Sequence, residues 1–310
     1  MIATVTLNPA MDYTAAINSP LCKGAVNRTA AARMTAGGKG INVSYILHQL
    51  GEDTRIYGFA AGAVGAMLRQ EISQWGIEAD WIELHGQNNR INLKIEEHGI
   101  VTELNGSGVS ISADTICQLV EKLSLFGDSD LIVLAGSLPS GAPVTLYADL
   151  MAKLRARGVR FAVDAAGEAL HAVLGCQPFL IKPNLPELCE LFRADISSVE
   201  AAIPYGIRLQ EMGARNVLLS MGEEGAVLFS EADGMFRLDA PHAKVCNTVG
   251  AGDSMLGGFL SGIVRGLSPA ECLRLAVASG SATAFAPWLA DRDAILALLE
   301  TLPEPKRLER

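Results

Sequence analysis

The sequence predicts an α/β fold: a mostly parallel central sheet with helices on both faces, and a small β lid. Three observations predict it. Short apolar runs of strand length alternate with helical stretches along most of the 310 residues, the pattern of βαβ units. Apolar residues make up 49% of the chain and aromatics only 5%, a composition that suits close helix-on-sheet packing better than an all-β sandwich. One segment, 89–104, breaks the pattern with a period of two, which is the mark of a sheet with one wet face. No Pro/Ser-rich linker and no shift in composition divides the chain. A single domain over 1–310 is therefore expected, with lid segments at about 11–35 and 88–106.

Taken in order, IATVTLN (2–8) reads as a buried strand, and residues 11–35 as irregular strands. GINVSYILHQLG (40–51) is helical with a Gly stop, TRIYGFA (54–60) a strand, and GAVGAMLRQEISQWG (62–76) a second helix with a Gly stop. In NRINLKIEEHGIVTEL (89–104), Ile91, Leu93 and Ile95 alternate with Arg90, Asn92 and Lys94, and Gly99 marks the turn of a hairpin. DLIVLAG (130–136), VRFAVDA (159–165), FLIKPN (179–184) and RNVLLSMG (215–222) are strands. VTLYADLMAKLRARG (144–158) and PELCELF (186–192) are the helices between them. GAVLFS (225–230) and GMFRLD (234–239) form a meander, and two or three apolar helices close the chain from about residue 251.

The chemistry concentrates in NTVGAGDSMLGG (247–258). A helix starting at the carboxyl edge of a parallel sheet offers unpaired N–H groups and the positive end of its dipole. Gly250, Ala251 and Gly252 let a phosphate approach that backbone closely. Asp253 falls in the first turn, where the dipole favours its ionised form. There it can take a proton from an attacking hydroxyl beside an anion hole. The plainer reading is a packing helix with an acidic first turn. A second cluster, TAGGKGINV (35–43), sets Gly37, Gly38 and Lys39 before another helix, which makes a second anion site or a Gly-rich loop with a solvated Lys. Two anion sites in one α/β fold suggest a phosphoryl donor and a phosphorylated acceptor.

Other positions are weaker singly. Asn184 and Glu187 in KPNLPEL (182–188) could present oxygens to Mg²⁺ or its waters. The spacing equally fits a capping box, and taken alone that reading is the better one. Asp12 ends NPAMD (8–12) and can receive sugar hydroxyls or simply serve a turn. Ser137 follows a strand end, and Ser220 and Gly222 sit in a turn after another.

Several classes are disfavoured. The formal net charge is −9, against the basic field that nucleic acid or a membrane surface needs. No apolar run reaches the roughly 18 residues of a spanning helix. The N-terminus lacks a signal-peptide pattern, so a cytoplasmic location is expected. Cys22, Cys117, Cys176, Cys189, Cys246 and Cys272 have no metal-ligand spacing and read as reduced core thiols. A P-loop is absent, and GxGxxG fails because position 255 is Met, which weighs against a dinucleotide-dependent oxidoreductase.

Together these segments resemble the ribokinase-like sugar kinases of the phosphofructokinase B family, over nearly the whole chain. TVGAGDSMLGGF and AGGKGINV are similar to its C-terminal and N-terminal signatures. TLNPAMD, GSLPSG, IKPN with Glu187, and SMGEEGA fall in the family's order. The resemblance implies a three-layer α/β/α sandwich and ATP-dependent phosphorylation of a ketohexose monophosphate. Fructose 1-phosphate is the first expectation; tagatose 6-phosphate and fructose 6-phosphate are alternatives, as is a non-catalytic sugar-phosphate sensor. It implies Asp253 as base and Gly250, Ala251 and Gly252 as anion hole. It places Asp12, Gly37, Gly38, Lys39, Asn42, Arg90 and Ser137 around the sugar phosphate, with Arg28 as a second possible cation. Lys182, Asn184, Ser220, Gly222 and Thr248 would lie along ATP, with Glu187 and Asn184 on the Mg²⁺ side, and two subunits would pair through the lid. ATAFAPWLADRD departs from the family's polar, Gly-containing stretch, so no adenine-pocket residue is assigned.

Overall fold

The computed structural model describes residues 1–97 and 100–309. The turn expected at Gly99 lies outside the described residues. The chain begins with β1 (Ile2–Thr6), β2 (Ala10–Ile17), β3 (Ala31–Gly37), α1 (Lys39–Gln49), β4 (Thr54–Ala61) and α2 (Gly62–Gln74). It continues with β5 (Glu78–Leu84), β6 (Arg90–Glu97), β7 (Ile100–Leu104), α3 (Ala113–Leu123), β8 (Leu131–Ala135) and α4 (Leu146–Leu154). Next come β9 (Arg160–Asp164), α5 (Gly167–Leu174), β10 (Leu180–Ile181), α6 (Leu185–Phe192), α7 (Val199–Glu211) and β11 (Asn216–Ser220). β12 (Ala226–Ser230), β13 (Gly234–Leu238), α8 (Ala251–Val264), α9 (Pro269–Phe285), α10 (Arg292–Thr301) and β14 (Lys306–Leu308) complete it.

The main sheet runs β14-β13-β12-β11-β10-β9-β8-β1-β4-β5. From β5 to β11 every pairing is parallel, and β12, β13 and β14 extend that edge antiparallel. The central strands are apolar on both faces because helices cover both. Ala3 and Val5 of β1 pack with residues of α3, α4, α5, α6 and α7. Ile2 packs on the other side with α1, α8, α9 and α10. Period two thus sorts one strand's side chains into two helical layers. This is the α/β/α sandwich the sequence implies.

The helices start where the chain says they should. Asn184 and Glu187 close a capping box on α6, and Ser268 and Glu271 close another on α9. Buried polar groups are paired: Thr4, Ser44 and Thr54 form a chain of hydroxyls at 2.8 Å steps between β1, α1 and β4. The second sheet, β3-β2-β6-β7, is the lid. Its β2 and β6 run parallel, and β2–β3 and β6–β7 are antiparallel.

One expectation is inverted. The alternating face of β6 that carries Asn92 and Lys94 is the buried one, at 8% exposure each. Ile91 of the apolar face is 45% exposed. The lid turns its polar face inward because it covers a polar cleft. The thiols also differ from expectation: Cys22, Cys117 and Cys246 are exposed, Cys176 and Cys189 are half-buried, and only Cys272 is a core thiol; all are free. Cys22 and Cys246 lie in loops, and Cys117 lies on the outer side of α3, so apolar sequence neighbours did not bring burial.

Candidate active site

α8 begins at Ala251, and Gly250 before it takes φ 80°, a conformation Gly adopts without strain. An added Cβ there would also meet Leu289 Cδ2 at 2.5 Å. Asp253 is therefore held in the first turn at 6% exposure. Asn42, one turn into α1, donates Nδ2 to Asp253 Oδ2 at 2.7 Å. This leaves Oδ1 without a hydrogen bond among the described residues. The Ala251 N–H turns back to Thr248 O at 3.3 Å. The N–H groups of Gly250, Gly252 and Asp253 have no acceptor among the described residues and are left to meet an anion, whereas that of Ala251 is engaged.

Asp164 was not singled out from the sequence. It is the last residue of β9 and is fully buried. Lys39 Nζ donates to its Oδ1 at 2.8 Å, and Lys182 Nζ stands 3.2 Å from Oδ2. That second contact lacks hydrogen-bond geometry, which leaves Oδ2 without a bond among the described residues. Lys39 Nζ also lies 3.9 Å from Glu187 Oε1. The two aspartates are pushed apart electrostatically. Burial, reinforced by the charge of Asp164, pushes Asp253 up to about 6, against Lys39, Asn42 and Lys182. The helix dipole expected to favour its charge is thus outweighed. Burial works against the Asp164 charge too, but Lys182 and Lys39 more than offset it and hold its carboxyl below the ordinary range. Burial likewise opposes the Lys39 charge, yet Asp164, Asp253 and Glu187 hold that ammonium above the usual lysine range. One carboxylate is a fixed counter-ion; the other can exchange a proton near neutrality.

Two clefts meet at this point. The first, about 620 Å³, lies between the carboxyl ends of β1 and β8 and the inner face of the lid. It contains Asp12, Gly38, Lys39, Asn42, Arg90, Ser137 and Asp253. Asp12 on β2 accepts Lys94 Nζ at 2.7 Å and Asn92 Nδ2 at 2.9 Å. Asn92 and Lys94 were not singled out, although the period of two puts them on the same face as Arg90. Arg90 donates Nε to Asn8 O at 3.1 Å, Nη1 to Gly106 O and Nη2 to Ser137 Oγ, both at 3.3 Å. Gly37 stands against Asp12, whose carboxylate would lie 2.7 Å from an added Cβ. Arg28 is not brought to either cleft; it lies in the exposed segment 18–30.

The second cleft, about 690 Å³, contains Ser220, Gly222 and Ala251 and shares Lys182, Asn184, Thr248 and Gly252 with the first. Val245, Met255, Val277, Ala284 and Phe285 give it an apolar wall suited to a planar base. The last two belong to the stretch that departs from the expected polar pattern. Asn184 Oδ1 is committed to the α6 cap, accepting Glu187 N at 2.8 Å, and Glu187 Oε2 accepts Asn184 N at 2.9 Å. Among the described residues, no three His, Cys, Asp or Glu side chains form a metal cage on their own. A larger cleft, about 1150 Å³, lies at the amino ends of β9, β10 and β11, around Arg160, Phe179 and Arg215. Neither Gly-rich helix start reaches it, so size does not mark the site here.

Comparison with known proteins agrees with this geometry. Residues 5–287 match the model of the pfkB family carbohydrate kinases. The chain is 39% identical over 306 residues to the 1-phosphofructokinase of Bacillus subtilis, covering 99% of both chains. It superposes on phosphofructokinase-2 from Escherichia coli, solved in complex with substrates and products, with a TM-score of 0.91. That pair is 27% identical and covers 97% of this chain and 99% of the other. Ribokinase from Arabidopsis thaliana shares the fold at a TM-score of 0.76 and 20% identity, over 96% and 98% of the two chains. The chain therefore belongs to the pfkB family of carbohydrate kinases, with a ribokinase-like fold.

Proposed function

We propose that this chain transfers the γ-phosphoryl group of ATP to fructose 1-phosphate, giving fructose 1,6-bisphosphate and ADP. The observation that carries this reading is the meeting of the two clefts at Gly252, Lys182 and Thr248, with a titratable carboxylate at the junction. The name of the Bacillus subtilis relative supports the choice of sugar. In the reaction, Asp253 Oδ1 takes the proton of the C6 hydroxyl while Asn42 holds Oδ2. The C6 oxygen forms its bond to the γ-phosphorus as the bond from that phosphorus to the β–γ bridging oxygen breaks, releasing ADP. Asp253 then returns its proton to solvent. The N–H groups at 250, 252 and 253 and the ammonium of Lys182 stabilise the charge on the transferring group.

The donor set fits Mg²⁺. This ion keeps several waters and takes one or two carboxylates together with phosphate oxygens. Asp164 Oδ2, buried and without a hydrogen bond, and Glu187 Oε1, left over from the cap, are oxygens of that kind. Asp164 and Glu187 would hold the ion, not Asn184. When bound, it neutralises charge on the nucleotide phosphates. We also propose one kinase domain over the whole chain, located in the cytoplasm, where ATP is available and free thiols persist. The outward face of the lid presents Ile91, Ile100 and Leu104, the last two 69% and 59% exposed. A second copy of the chain is the partner proposed for that face.

The test is ADP release with fructose 1-phosphate, fructose 6-phosphate and tagatose 6-phosphate in parallel. Fructose 1-phosphate should give the highest kcat/KM. No release with any of the three would contradict the reading.

A further inference from the structure

The cleft of about 1150 Å³ at the amino ends of β9, β10 and β11 has no part in the kinase reaction. Those strands end at or beside Asp164, Lys182 and Ser220, so the cleft lies a strand's length from the kinase site, about 13 Å along β9. Three arginines line it: Arg155, Arg160 and Arg215. Two acids line it as well, and both are matched. Glu231 Oε2 accepts Arg215 Nε at 2.7 Å, and Glu211 Oε2 accepts Arg208 Nη1 at 2.9 Å. Arg155 and Arg160 make no ion pair and no side-chain hydrogen bond among the described residues. Two unmatched guanidiniums in one cleft stand out on a chain with a net charge of −9.

Arg160 is half-buried, and its guanidinium lies over the Phe179 ring, 5.2 Å from the centroid. The ring holds the plane of the fork. Nε is buried and closed to any ligand, whereas Nη1 and Nη2 keep accessible surface and have no acceptor in the protein. Arg155, at the end of α4, is exposed. Gln177, in the turn after α5, adds a neutral amide. It takes φ 56°, in a left-handed position after a helix where Gly is the usual choice. Keeping a side chain there at a steric cost is explained if the amide is used. We propose that this cleft is a second ligand site, and that Arg155 and Arg160 bind the phosphate of a small phosphorylated metabolite. Guanidinium forks match the paired oxygens of a phosphate, and each bond is strengthened by both charges. Gln177 would donate to a third oxygen. The site is separate from both kinase clefts, which share none of its lining residues.

The probe is metal-free pyrophosphate, titrated calorimetrically into wild type and into the pair Arg155→Gln with Arg160→Gln. Binding in the kinase clefts is common to both proteins, so the difference between the two isotherms reports this cleft alone. The pair should lose one class of sites, with affinity there falling about 10-fold or more. Its melting temperature without ligand should hold, because neither guanidinium bonds anything in the protein. Should the pair fail to fold, Arg155→Gln alone, at an exposed position, should still weaken that class. Arg160→Lys keeps the charge without the fork and should retain part of the binding. Coincident isotherms for wild type and the pair, or for wild type and Arg155→Gln where the pair does not fold, overturn the proposal. Citrate bound at this cleft as tightly as pyrophosphate would overturn the choice of a phosphorylated ligand.

Discussion

Near pH 7 a carboxylate held up to about 6 is mostly ionised, yet it is basic enough to receive a proton from an alcohol as the oxygen bonds to phosphorus. That poise costs stability. The folded carboxyl titrates near 6 and an unfolded one near 3.8, so between these values the native state binds more protons. Stability therefore falls as pH rises through that window. Asp253→Asn should stabilise the protein by up to about 3 kcal/mol near pH 8 and by less near pH 5, as thermal melting at the two values will show. Asp164→Asn should do the opposite. It strands the ammonium groups of Lys39 and Lys182, and should destabilise by about 3 kcal/mol in chemical denaturation, since Lys39 is partly exposed. Two like substitutions in one site thus carry opposite signs. Asp253 was legible in the sequence because glycines announce it. Asp164 was overlooked in VRFAVDA, although a lone acid ending an apolar strand is itself a signal. Its importance comes from two lysines distant in the chain, and no local pattern shows that pairing.

At the scale of elements, the lid works through β6. Asn92 and Lys94 fix both oxygens of Asp12, and its remaining lone pairs are free for the sugar hydroxyls proposed to reach it. Lys94→Met should raise the KM for fructose 1-phosphate about 10-fold or more, because Asp12 loses its counter-ion and stands as a half-buried negative charge facing a dianion. The KM for ATP should barely move, and Lys94→Arg should restore part of the loss; initial-rate kinetics with each substrate varied in turn will show it. The hairpin was legible from its period. Which face would be buried was not, because a polar face that covers a ligand cleft looks like a face that meets water. Elements missing from the sequence reading failed for identifiable reasons. α5 has eight residues, too short for a firm helical period. α7 carries Pro204 and Gly206 inside, both of which argue against a helix. β5 mixes charged and apolar residues because it is the edge strand of the sheet.

The position of the site follows from the whole topology. Strand order runs outward from β1 to β4 and β5 on one side, then resumes at β8 on the other. The chain reverses direction across the sheet between β1 and β8, and an open α/β sheet leaves a crevice at the carboxyl ends there. Thr6 ends β1, Asn8 lies just beyond it and Ser137 follows β8, while α1 and α8 direct their N-termini at the same point. Gly-rich motifs more than 200 residues apart, Gly37–Lys39 and Gly250–Gly252, become one site for this reason. The sequence carries the motifs; the strand order that joins them is set by long-range pairing and was not readable. The pairing of two lids proposed above is also a whole-molecule matter. Ile91→Glu with Leu104→Glu should turn a dimer into a monomer in sedimentation, since both residues lie on the outward apolar face. A sedimentation coefficient unchanged by the pair would remove that face as the interface.

The central claim is that Asp253 takes the proton at the junction of the two clefts. The pH dependence of kcat/KM for fructose 1-phosphate, in wild type beside Asp253→Asn, tests it most directly. The wild-type profile should climb with unit slope to an apparent pKa near 6 and then level. Asp253→Asn should be slower by about 10²- to 10⁴-fold and should lose that limb. A substrate phosphate titrating in the same range would leave the limb in both proteins, so the comparison separates the two sources. Near-normal turnover in Asp253→Asn, or the same acidic limb in both, would contradict the account.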